Sequence, residues 1–240
     1  VLPLSFAVTE ADLDDGLISY FDMDVNEIPN DQLGNNDWTV NGGSTHTTAG
    51  CTNNDCFDIT SGGSTRGIFS GGITGWDSTA WTISAWIELA SVVENNDLFG
   101  GQGGESLGVV LGNAAAVCSN RLWLLISYGS GWDVTDATQC GTRTSWSAED
   151  IVHFVITYDG SAYKIYENGN LDYTYTSSTD MVALSEWHFR DTPAGSSNNV
   201  LGRTDEWGIW AGNYLTADEV TFLYNSGTGR FASGGTFVVT

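Results

Sequence analysis

Lysine is almost missing from these 240 residues: Lys164 is the only one, and with six arginines it faces 30 Asp and Glu, for a formal net charge of −23. A surface this acidic repels a phosphate backbone and an anionic membrane surface alike, so nucleic acid and membrane insertion are set aside. It suits a salty medium and attracts divalent cations. No run approaches the roughly 18 apolar residues of a bilayer-spanning helix. No Asn-x-Ser/Thr acceptor site occurs, which favours a bacterial, archaeal or viral source over a eukaryotic secreted glycoprotein. The chain starts at Val1 with neither an initiator Met nor a signal-peptide pattern, so a processed or truncated form is expected.

Signatures of catalysis are also missing. There is no GxSxG elbow for a nucleophile, and His46, His153 and His188 are scattered, with His153 inside a predicted strand. Glycoside hydrolysis needs two carboxylates flanking one bond. The adjacent pairs Glu149/Asp150 and Asp205/Glu206 are expected to point to opposite faces of a strand, because side chains alternate there. The expectation is a protein without catalytic residues.

Four cysteines are present. Cys51 and Cys56 enclose CTNNDC, too wide for a redox CxxC motif and without the second pair of a zinc site. Cys118 and Cys140 flank a segment that a hairpin can close on itself. Two local disulfides are expected, Cys51–Cys56 and Cys118–Cys140, hence an oxidising, extracellular setting; other pairings stay open at this point.

Short apolar runs between turn residues, rich in Gly, Thr, Ser, Asn and aromatics, predict many short strands. DGLISYFDMD (15–24) alternates as a first strand, followed by an acidic, turn-rich loop. Residues 81–89, 107–111 and 122–128 predict further strands. In 151–176, the DG at 159–160 and NG at 168–169 suit tight turns between three antiparallel strands, 151–158, 162–167 and 171–176. Near the C-terminus Thr216 and Glu219 form a capping-box signature for a helix with an apolar stripe of Val220, Leu223 and Tyr224, stopped at Gly227.

The ordered set DGLISYFDMD, NDQLGNND, WTISAWI, HFVITYDGSAYKIYENG and TDEWGIWAGNYLTADEVTFLYNSGTG closely resembles laminin-G-like modules of the concanavalin A-like lectin/glucanase superfamily, of the bacterial and phage type, over about residues 15–229. The resemblance implies an all-β fold, a two-sheet antiparallel jelly-roll sandwich with one short C-terminal helix. The ExDxxE pattern of related glucanases is absent. Family members often carry a structural calcium tying the first-strand loop to a late acidic residue. Carried onto this chain, the ligands would be Asp24, Asp31 and Asn36 with Asp205. Glycan binding is the other implied activity, for which Trp132, Asp133 and Trp187 offer stacking and hydrogen-bonding groups.

Residues 1–14 and 230–240 lie outside the module so delimited and contain the β-prone, apolar LSFAV and FVVT. Either they run along their own sandwich, or they pair with other copies of the chain by strand addition. The leading expectation is accordingly a non-catalytic extracellular structural or adhesive subunit of a homo-oligomeric assembly, such as a phage tail, a capsid surface or a surface filament. The alternative is a monomeric carbohydrate-binding module that recognises surface polysaccharide.

Overall fold

Turn residues that tolerate positive φ set the first strands in place. Gly160 (φ 83°), Asn168 (φ 50°) and Gly169 (φ 73°) close two tight turns. Between them run β11 (Ile151–Tyr158), β12 (Ala162–Glu167) and β13 (Asn170–Thr176), as the sequence predicts to within one residue. The computed structural model describes residues 7–24, 30–41, 45–47, 51–59, 66–70, 72–89, 96–102, 105–111, 118, 121–128, 131–132, 140–147, 149–177, 186–189, 202–233 and 235–237.

The remaining elements, in chain order, are α1 (Glu10–Asp14), β1 (Leu17–Phe21), β2 (Thr39–Asn41), β3 (Thr45–Thr47), β4 (Cys56–Ile59), β5 (Arg66–Ser70), β6 (Trp81–Leu89), β7 (Asn96–Gln102), β8 (Glu105–Leu111), β9 (Leu122–Tyr128), β10 (Gly131–Trp132), β14 (Glu186–Phe189), β15 (Gly202–Ala211), α2 (Ala217–Tyr224), β16 (Ala232–Ser233) and β17 (Thr236–Phe237). They form two antiparallel sheets of eight and seven strands and a small hairpin. The long sheet runs β13-β12-β11-β6-β15-β4-β3, and β1 also pairs with β15. The second sheet runs β10-β9-β8-β7-β14-β5-β2. This is the expected jelly-roll sandwich.

One apolar core lies between the sheets, with Trp81, Ile83, Phe154, Ile156, Trp207 and Ile209 all buried. A second covers the outer face of the long sheet, where Tyr20, Val155 and Trp210 meet Leu13, Val220, Leu223 and Phe237. Alternation along β15 assigns Trp207 and Ile209 to the first core and Trp210 to the second. The strand therefore needs apolar residues on both sides, and its sequence supplies them.

Helix α2 begins as predicted: Thr216 Oγ1 accepts from the Glu219 N–H at 3.4 Å and Glu219 Oε2 accepts from the Thr216 N–H at 2.6 Å. Its stop is Asn225 in the left-handed conformation (φ 49°), two residues before the expected Gly227. Helix α1 is a departure from the expectation of a single helix. With only five residues it has too few turns for a periodic signal, and Thr9 caps it by donating its N–H to Asp12 Oδ2 at 2.7 Å.

Residues on both sides of the expected limits of 15 and 229 also pack on the sandwich. Leu13 is buried and its carbonyl accepts from Trp210 Nε1–H at 2.6 Å. The Phe237 N–H donates to Asp14 Oδ1 at 2.8 Å, and Arg230 pairs with Glu10 at 2.7 Å. Phe237, expected within a strand outside the module, packs edge-on to Tyr20 and stacks on Trp210. Residues 1–6 and 238–240 lie outside the described residues. Both expected disulfides, Cys51–Cys56 and Cys118–Cys140, are formed.

Candidate functional site

A gap in the long sheet creates the site. On one side of β15, β4 stops pairing at Thr204↔Phe57 and β1 takes over at Trp207↔Phe21. On the other side β6 pairs continuously except for a bulge between Asp205 and Gly208. Glu206 adopts φ 53° at this bulge, so strict alternation fails here. The expectation that Asp205 and Glu206 face opposite ways is therefore wrong: both carboxylates reach the same residue, Asn53.

The disulfide loop 51–56 fills the gap. Backbone N–H groups of Thr52 and Asn53 donate to Asp205 Oδ2 at 3.2 and 3.0 Å, and Asn53 Nδ2 donates to Glu206 Oε1 at 2.7 Å. From the far side, Asn54 Nδ2 and the Asp55 N–H donate to Asp24 Oδ2 and Oδ1 at 3.0 and 3.1 Å. The Tyr20 hydroxyl donates to Glu206 Oε2. Six residues closed by one disulfide thus hold three carboxylates from both ends of the chain. The CTNNDC spacing announces the loop, but nothing in the sequence announces its partners.

Burial sets the protonation of these acids. Asp205 and Glu206 are only 2% and 4% exposed. Burial pushes the Asp205 carboxyl up to about 8, opposed by the Asn53 N–H and reinforced by the Asp24 charge. Glu206 is raised by burial and then by the charge of Asp205, and Tyr20 is raised by burial and by Glu206.

The four residues expected to hold calcium do not form one set. Asp31 accepts four backbone N–H groups, from Tyr20 and Leu33 on Oδ1 and from Asn35 and Asn36 on Oδ2, at 2.9 to 3.1 Å. The Asn36 side chain bonds Ser19 Oγ at 2.6 Å, the Thr74 carbonyl at 3.2 Å and the Thr74 N–H at 2.6 Å. Asp31 and Asn36 shape the turn after β1 and are committed to it. Asp24 and Asp205, in contrast, grip the same loop from two sides, and Asp205 Oδ1 is buried without a hydrogen-bond partner among the described residues. That orphaned oxygen beside a second acid fits a hard cation, and this pair is the part of the expected set able to hold one. Among the described residues no three His, Cys, Asp or Glu side chains converge.

The glycan candidates lie on the other sheet. Trp132 is in β10 at its edge, and Trp187 is in β14, where it pairs with Phe69 and Gly101. Four inter-strand steps separate those strands, about 19 Å at the usual spacing. Asp133 lies outside the described residues. His153 is a buried sheet residue with Nε2 at 2.9 Å from Ser84 Oγ, and its ring packs in a three-ring cluster with Trp86 and Tyr224, which also stack on each other.

With fold and site in view, the class is plain. The family model described as concanavalin A-like lectin/glucanases superfamily (Laminin_G_3) matches residues 61–221, and the chain belongs to that family. No curated protein matches it in sequence. Among solved structures it is similar to domain 4 of AbnA, an extracellular arabinanase from Geobacillus stearothermophilus, in complex with arabinotriose. The identity is 19% and the TM-score 0.67, covering 86% of this chain and 97% of that one. The binding domain of Paraclostridial Mosquitocidal Protein 1 is similar at 16% identity and TM-score 0.67, over 89% of this chain and 53% of that one. A Trypanosoma rangeli sialidase is similar at 14% identity and TM-score 0.64, over 89% of this chain and 33% of that one. The chain spans about half of the toxin domain and a third of the sialidase.

Proposed function

We propose that this chain is a non-catalytic carbohydrate-binding module of an extracellular protein. The observation that carries the reading is the state of the late-strand acids. In a lectin/glucanase fold the two adjacent carboxylates of β15 are buried and spent on Asn53, Thr52 and Tyr20, so they hold the sandwich shut and leave no open pair for glycosidic cleavage. One similar fold, solved in complex with arabinotriose, supports sugar as the ligand class. Two disulfides support an oxidising location. A cation between Asp24 and Asp205, tying the loop after β1 to β15, belongs to this proposal as a structural element.

A subunit joined to its copies by terminal strands has less support, because described residues of both ends, among them Leu13, Ala232 and Phe237, pack on their own domain. Affinity electrophoresis of the whole chain through gels containing neutral and acidic polysaccharides tests the proposal, alongside a reducing-end assay on whichever polysaccharide retards it. Retardation without new reducing ends is expected. Hydrolysis, or free migration through every gel, overturns it.

A further inference from the structure

The four half-cystines are not equally sheltered. Cys56 and Cys118 are fully buried and Cys140 is 8% exposed, whereas Cys51 is half-buried. The two bridges also hold different things. Cys118–Cys140 joins residues 22 positions apart and sets Gly141 against β9, where its N–H donates to the Leu122 carbonyl at 2.7 Å. Cys51–Cys56 closes a small loop whose four inner residues, Thr52, Asn53, Asn54 and Asp55, are all polar, so the loop brings no apolar side chain to anchor it. Five hydrogen bonds seat it instead, every one on a carboxylate outside the loop: two on Asp205, one on Glu206 and two on Asp24.

We propose that Cys51–Cys56 is a reversible redox lock: reduction of this bridge alone releases the loop from Asp24, Asp205 and Glu206 while the sandwich stays folded. A hydrogen bond exchanged with water contributes little net stability, and freeing the loop residues restores their backbone entropy, so the seat is kept only while the bridge holds the donors in place. The two ends of the loop differ. β4 begins at Cys56 and continues into Phe57 of the inner core, which fixes that end, so the Cys51 end is the one that swings away. Its departure uncovers Asp205 and Glu206 at the gap where β1 takes over from β4 along β15.

The reaction is thiol–disulfide exchange, and its reductant is a dithiol, either the reduced site of a thiol–disulfide oxidoreductase or dithiothreitol. One thiolate of the dithiol attacks Sγ of Cys51, the less sheltered half-cystine. The bond to Cys56 breaks, and Cys56 leaves as a thiolate that takes a proton from water. The second thiol of the reductant, as its thiolate, then displaces Cys51 from the mixed disulfide. Two electrons pass to the bridge, and the reductant ends as its own disulfide. Reoxidation by a disulfide reverses each step and returns the loop to its seat.

Graded dithiothreitol acting on the whole chain without denaturant tests this, in the presence of chelator so that no cation bridges Asp24 and Asp205. Alkylation and mass mapping follow the four cysteines, and amide hydrogen exchange is read on the same samples. Cys51 and Cys56 should be alkylated at least tenfold faster than Cys118 and Cys140. In that partly reduced form the amides of Thr52, Asn53 and Asp55, which donate to Asp205 and Asp24, should exchange at least tenfold faster, while β6 and β11 keep their protection and reoxidation restores the slow rates. Untreated Cys51→Ser/Cys56→Ser should show the same fast exchange in the loop. Three results overturn the lock: alkylation of all four cysteines together or in the reverse order, a reduced loop whose three amides stay protected, or loss of protection in β6 and β11 along with the loop, in the wild type or in the variant.

Discussion

The side-chain amide of Asn53 donates to Glu206 Oε1 at 2.7 Å, while the backbone N–H of the same residue donates to Asp205 Oδ2 at 3.0 Å. One loop residue thereby serves both buried acids at the bulge in β15. Asn53→Ala leaves the backbone bond and removes only the amide, so a buried carboxyl oxygen loses its partner. The expected cost is about 1–3 kcal/mol in urea unfolding. Stability equal to the wild type would show that Glu206 does not depend on this contact.

The Cys51–Cys56 disulfide closes a loop of six residues, which the chain-entropy estimate values at about 2 kcal/mol. The same loop delivers donors to Asp24, Asp205 and Glu206, and these bonds form only when it is held in place. The double variant Cys51→Ala/Cys56→Ala should therefore lose clearly more than that entropic share in urea unfolding. A loss of about 2 kcal/mol or less means that the loop keeps its place without the bridge.

These contacts mark the limit of what the sequence makes legible. The DG and NG turns, the Thr216 capping box and the Cys51–Cys56 spacing are each set by residues within a few positions, and each is found where the sequence predicts it. The bulge at Asp205–Gly208 arises where β4 ends and β1 begins, strands drawn from separate parts of the chain. No property local to Asp205 and Glu206 carries that information, so period-two alternation gives the wrong faces. Asp31 was legible as a loop acid but not as a hub of four N–H bonds, since the loop's closure onto Tyr20 decides it. The cross-strand row of Ile151, Glu88, Arg203 and Asp58 comes from strand order, which a single sequence does not spell out.

His153 gives the fold a dependence on pH. Burial holds its imidazole down to about 3, against 6.5 when free. Above 6.5 both the folded and unfolded chains leave it neutral, and its contribution is fully present. As pH falls below 6.5 the unfolded chain gains a proton that the folded chain refuses, so stability drops by up to about 1.4 kcal/mol per pH unit. Asp205 and Glu206 act in the opposite sense, because their raised carboxyls keep protons in the folded state; their contribution is largest in acid and is lost as pH rises through about 8 for Asp205. Comparison with His153→Gln cancels the carboxylates. The stability of the wild type relative to this variant should shrink by about 1.6 kcal/mol between pH 6.5 and 5, measured by urea unfolding. A difference that stays constant with pH would remove His153 as the cause.

Calcium would separate the two pairs of residues, Asp24 with Asp205 and Asp31 with Asn36, that the resemblance groups together. If a cation sits between Asp24 and Asp205, it binds the folded chain and not the unfolded one, and at a hundred times its dissociation constant it adds about 2.7 kcal/mol. For a domain of this size that raises the melting temperature by roughly 5–10 °C. Chelator should reverse the rise, and Asp24→Asn or Asp205→Asn should abolish it, with Asp205→Asn also relieving the burial of a charge at high pH. Asp31→Asn should behave differently. Asp31 accepts four backbone N–H bonds and has no oxygen to spare, so its loss should lower the melting temperature equally with calcium and with chelator. A calcium response that vanishes in Asp31→Asn but survives in Asp205→Asn would move the cation from the disulfide loop to the turn after β1.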